Sequence, residues 1–99
     1  MKLGPPLTQE AAEALAVQAL TFIAGDGERL GGFLAATGIG PAEIRAASAE
    51  PGFLAGVLEY LAADDRLITA FAAEAGLDPQ DVARAYAALG GAPWEREMP

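Results

Sequence analysis

Between Gln9 and Gly90 the apolar residues return every three to four positions, and no segment alternates with a period of two for more than a few residues. That spacing predicts helices and no strand. Ala12, Leu15, Ala16, Ala19, Leu20 and Ile23 make the first stripe. Thr8 stands ahead of it as an N-cap, with Glu10 complementing the positive helix start, and Gly25 closes it. Asp26 caps a second helix carrying Leu30, Phe33 and Leu34. Gly31 and Gly32 weaken its middle by about 1 kcal/mol each, and Gly38 supplies the left-handed residue that ends it. A third, short helix starts at Pro41, where the missing N–H costs nothing, with Glu43 facing the free amides.

The pattern then begins again. Pro51 opens a fourth helix with Phe53, Leu54, Val57, Leu58 and Leu61 on one face. Asp64 or Asp65 caps a fifth, with Leu67, Ile68, Phe71, Ala72 and Ala75 inside and Gly76 at its end. Asp78-Pro79-Gln80-Asp81 opens a sixth through a capping-box-like arrangement, and Val82, Ala85, Tyr86 and Leu89 follow at i, i+3, i+4 and i+7. Gly90-Gly91 ends it.

Shifting the chain by 38 residues aligns its halves without a gap. Leu20 meets Leu58, Ala24 meets Ala62, Asp26 meets Asp64, Phe33 meets Phe71, Gly38 meets Gly76 and Pro41 meets Pro79. Conservative pairs lie between them: Phe22 with Tyr60, Ile23 with Leu61, Leu30 with Ile68, Ile39 with Leu77, Glu43 with Asp81, Ile44 with Val82. The matches are core-type positions or cap and turn residues, as a duplicated structural unit requires. The expected fold is therefore all-α, a compact bundle of about six short helices built from two tandem three-helix repeats (residues 7–50 and 51–91) within one domain of residues 1–99. A tail follows, residues 92–99, with the single tryptophan, Trp94.

Composition narrows the function. Alanine, 24 of the 99 residues, combines the best helix propensity with a side chain that lets helices approach closely. There is no cysteine and no histidine, which removes disulfides, thiolate and imidazole metal ligands and a histidine base. No cofactor and no metal site is expected. The net charge is −8, with Lys2, Arg29, Arg45, Arg66, Arg84 and Arg96 spread singly. Nucleic-acid binding needs clustered cations and anionic membranes repel an acidic surface, so neither partner is expected. No secretory leader pattern and no apolar run of about 20 residues is present, which places the chain in the cytoplasm as an expectation.

Three constellations carry candidate chemistry. Gly38-Ile39-Gly40-Pro41 resembles the glycine turn of helix-hairpin-helix DNA binders, but the second copy keeps Gly76, Leu77 and Pro79 and puts Asp78 in place of the second glycine, where it repels phosphate. Asp26 and the Asp64-Asp65 pair offer carboxylates for acid–base or Mg²⁺ work, yet they stand where helices begin, and capping accounts for them. The hydroxyls have no histidine to activate them, so no catalytic residue is assigned and no enzyme is expected. The arginines each follow an acid closely in sequence and read as solvated charges, with Arg45 and Arg84 as candidate partner contacts. Phe22 and Tyr60, at the edges of their stripes, and Trp94, outside them, are the candidate apolar contacts. The partner is another protein or a second copy in a homodimer, since one core of about 99 residues is marginal on its own; a small-molecule site would require a deep pocket with convergent polar groups.

Glu13-Ala14-Leu15, Gln18-Ala19-Leu20, Arg29-Leu30, Phe33-Leu34, Thr37-Gly38-Ile39 with Pro41, Glu50-Pro51-Gly52-Phe53-Leu54 and Leu77-Asp78-Pro79 together resemble the bacterial domain-of-unknown-function family 3572, known mainly from alphaproteobacteria. The resemblance covers roughly residues 10 to 90. Its motifs are helix faces and caps, so it implies a short helical protein and transfers no activity to any residue. The family's genes often lie near that of a single-domain response regulator, which implies a regulatory or signalling setting.

Overall fold

The computed structural model describes residues 7–90, with the side chains of Pro41 and Pro51 left aside. Its elements are α1 (Gln9–Ala24), α2 (Gly27–Thr37), α3 (Pro41–Ala47), α4 (Pro51–Ala62), α5 (Asp65–Ala75) and α6 (Pro79–Ala88). No strand occurs among the described residues.

The helix starts are chemical. Thr8 Oγ1 accepts the Ala11 N–H at 3.0 Å. Asp26 accepts those of Glu28 and Arg29 at 2.8 and 3.3 Å, and Asp64 those of Arg66 and Leu67 at 2.9 and 3.2 Å. Asp78 takes Gln80 N–H at 2.8 Å while Asp81 returns to the Asp78 N–H at 3.1 Å. Each such side chain satisfies amides that have no partner inside the helix, a contribution of about 1 kcal/mol. α2 and α5 stop at Gly38 and Gly76, whose φ of +75° and +71° lie in the left-handed region that glycine enters without a Cβ penalty. Starts and stops of these two helices correspond at a shift of 38.

α1, α4 and α6 pack on one another at the centre. Ala12, Ala16 and Ala19 of α1 are fully buried; residues this small let neighbouring backbones come close. Ile23, Leu58, Leu61, Val57 and Val82 fill the space between, and no polar or charged residue is buried among those described. α2 lies on α1, and α5 lies on α4 with lesser contact to α1 and α6. α3 has no comparable packing against any helix.

Five aromatic rings tie the outer helices to the centre. Phe22 of α1 meets Phe71 of α5 with centroids 5.4 Å apart and planes at 59°. Tyr60 of α4 meets Phe33 of α2 at 5.2 Å and 78°. Phe53 also approaches Phe33 edge-on, at 6.1 Å. These tilted geometries set a ring's positive edge against another's negative face and add about 0.5–1.5 kcal/mol to the area buried.

Candidate functional site

The carboxylates that suggest chemistry in the sequence are distributed over helix starts. Asp26, Asp64 and Asp78 cap α2, α5 and α6 respectively, and Glu43 accepts the Gly40 N–H at 3.0 Å at the start of α3. No three acids converge as a metal cage among the described residues. Three of the hydroxyls are turned onto backbone as well: Thr21 donates to Val17 O at 2.9 Å, Thr37 to Phe33 O at 2.9 Å and Ser48 to Arg45 O at 2.8 Å.

The candidate contact residues fall on four helices. Phe22 is a correction: it is 8% exposed, seated between Phe71 and the guanidinium of Arg29, so it is core and not an apolar residue left over at the edge of its stripe. α5 supplies the ring that covers it, a contact far along the chain that helical spacing within α1 does not reveal. Tyr60 is half-buried, its ring on Phe33. Arg45 is exposed in the last turn of α3, where a cation complements the helix end. Arg84 is half-buried and forms an ion pair with Asp81 one turn earlier. The Asp81 carboxyl is held below its usual value, chiefly by the hydrogen bond from Arg84 and then by the Asp78 N–H. Trp94 lies outside the described residues.

A feature that the sequence reading missed is an open groove of about 550 Å³ where the second half of α1, the start of α2 and the end of α5 meet. Val17, Gln18, Thr21, Phe22, Gly25, Arg29, Phe71, Glu74 and Ala75 line it. Val17 is the exposed large apolar residue of the described chain, at 43%. The signal was present: Val17 interrupts the α1 stripe two positions after Leu15, on a face where burial does not account for a branched apolar side chain. Arg29 lies across the groove wall with its guanidinium carbon 4.0 Å from the Phe22 ring centroid and Nη1 3.5 Å from Phe22 O. Its cation therefore rests on a ring face and at the carbonyl end of α1, both favourable places for positive charge.

The family model described as a protein of unknown function, DUF3572, matches residues 9–92. The chain belongs to the DUF3572 family. The match runs through all six helices. No curated protein and no solved structure matches the chain at a significant level. No helix among the described residues is long and apolar enough to cross a membrane.

Proposed function

We propose that this chain is a non-catalytic helical module that binds another protein in the cytoplasm. Val17 carries the reading: a branched apolar side chain open to solvent in a groove lined by both apolar and polar side chains, while the other large apolar residues among those described are buried or half-buried. A partner seated in the groove would take this apolar surface out of water, which favours association. The engagement of Asp26, Asp64, Asp78 and Glu43 at helix starts supports the non-catalytic part, because carboxylates bonded to backbone amides are committed to structure. The scattered cations and the charge of −8 favour a protein over nucleic acid or an anionic membrane. A regulatory setting is what the resemblance to the family implies.

Affinity purification from native lysate tests this with three baits: the full chain, Val17→Asp, and the chain lacking residues 92–99. The full chain is expected to retain a stoichiometric partner that rebinds when purified, and Val17→Asp to reduce retention at least tenfold while keeping its helical circular dichroism. Absence of any stoichiometric partner rejects the reading. Retention that survives Val17→Asp and vanishes with the tail moves the contact to Trp94.

A further inference from the structure

Two of the three aromatic pairs are related in a particular way. Position 22 shifts to 60 and position 33 shifts to 71 when 38 is added. The pairs in the structure are Phe22 with Phe71 and Tyr60 with Phe33, so each half lends its first-helix ring to the second helix of the other half. A contact between residue i and residue j of a partner, mirrored by j and i, is the signature of a two-fold axis. The packing of the first two helices of each half agrees: α1 lies on α2 as α4 lies on α5, and α1 and α4 lie against each other, whereas α6 packs on α1 and α4 in a way that α3 does not repeat, so the relation concerns α1–α2 and α4–α5.

We infer that the two halves meet as the subunits of an isologous dimer do, with residues 48–50 joining them into one chain, and that the seam between them is a matched set of ring and small residue. Gly32 explains why the match matters. A Cβ built on Gly32 would stand 3.1 Å from the Tyr60 hydroxyl, tighter than ordinary contact. A glycine in the middle of a helix is unfavourable, and here it makes room for that oxygen. The residue 38 positions on is Ala70, and the ring facing it by symmetry is Phe22, which has no hydroxyl. Where the ring carries an oxygen, the facing residue lacks a methyl; where the ring lacks the oxygen, the methyl is present. The surface by which one such half would bind another of its kind is thus occupied inside the chain, and the groove at Val17 opens beside it, with Phe22 and Phe71 of the seam in its lining.

Two in-register double-mutant cycles and two crossed ones, read as thermal midpoints of the full-length chain, test the inference. With Tyr60→Phe present, Gly32→Ala is expected to raise Tm by about 4–8 °C, the shift that replacing one helical glycine gives in a domain of this size. With Tyr60 intact that gain should vanish or reverse. Phe22→Tyr should lower Tm by several degrees, and Ala70→Gly should cost less on that background than alone. The crossed pairs, Gly32→Ala with Phe22→Tyr and Ala70→Gly with Tyr60→Phe, should add. Coupling in the Gly32–Tyr60 cycle alone overturns the two-fold relation, as does coupling in either crossed cycle. Should Phe22→Tyr fail to fold, the native chain still decides: a nuclear Overhauser effect between the Ala70 methyl and the Phe22 ring is required, and its absence refutes the inference.

Discussion

α3 and α6 start alike and end differently. Each opens on a proline after a short turn, and in each an acid three residues past the cap reaches back to the cap amide, Glu43 to Gly40 and Asp81 to Asp78. An apolar branched residue follows, Ile44 or Val82. From there they diverge. α6 goes on to Ala85, Tyr86 and Leu89, and these with Val82 are all buried against α1 and α4. The positions of α3 that correspond to Tyr86 and Leu89 hold Ser48 and Pro51. The proline begins the next helix, so α3 stops at Ala47 after seven residues with Ile44 only half-buried. A well-made start is therefore not enough to hold a helix in a core. Helices of fewer than three turns are marginal in water, and their stability comes from the apolar face that tertiary packing buries.

The comparison breaks first at the two branched residues. Val82→Ala should cost about 2–3 kcal/mol, because a fully buried side chain loses its transfer free energy and leaves a cavity. Ile44→Ala, although it removes more atoms, should cost about 1 kcal/mol or less at its half-exposed place. Urea unfolding of the two variants measures the difference; equal losses would mean that α3 is as much part of the core as α6. A smaller effect separates the caps. Asp78→Ala removes a side-chain cap from a helix whose unfolding is global and should cost about 1 kcal/mol. Glu43→Ala removes one bond from a helix that contributes little to the core and should stay within about 0.5 kcal/mol. The same titration reads both.

How much of this was legible beforehand depends on the range of the interaction. Helix starts and stops are written locally, in Thr8, Asp26, Asp64 and Asp78 and in Gly38 and Gly76, because a cap side chain bonds to amides two or three residues away. Those boundaries could be read from the chain. Which face of a helix is covered, and by what, depends on residues far along the sequence. Phe22 looked like the edge of a stripe because its cover, Phe71, is 49 positions away. The inequality of α3 and α6 was visible in Ser48 and Pro51 only to a reader who already knew that the matching positions, Tyr86 and Leu89, are buried. The groove at Val17 escaped for the same reason: it is made by three elements, and α1 alone shows only one apolar residue out of phase.

A pH-dependent effect tests the first turn of the two helices. Asp81 differs from Glu43 in having Arg84 one turn on, and its carboxyl is held below the usual value of 3.8 mainly by that hydrogen bond. A carboxyl whose folded pKa is depressed stabilises the protein at pH values above its unfolded pKa, and the contribution disappears as pH falls through the folded one. Asp81→Asn should therefore be less stable than the parent at pH 7 by about 0.5–1 kcal/mol, the scale of a partly exposed ion pair with one cap bond. The gap should hold down to about pH 4 and close as the medium becomes more acid than the ordinary carboxylate range. Comparing parent and variant at each pH cancels the titration of the other thirteen acids. Glu43→Gln, whose carboxylate has the backbone bond without the arginine, should show a smaller gap at pH 7. If Asp81→Asn and Glu43→Gln gave the same gap at every pH, Arg84 would contribute nothing to the start of α6, and the difference between the two helices would rest on Tyr86 and Leu89 alone.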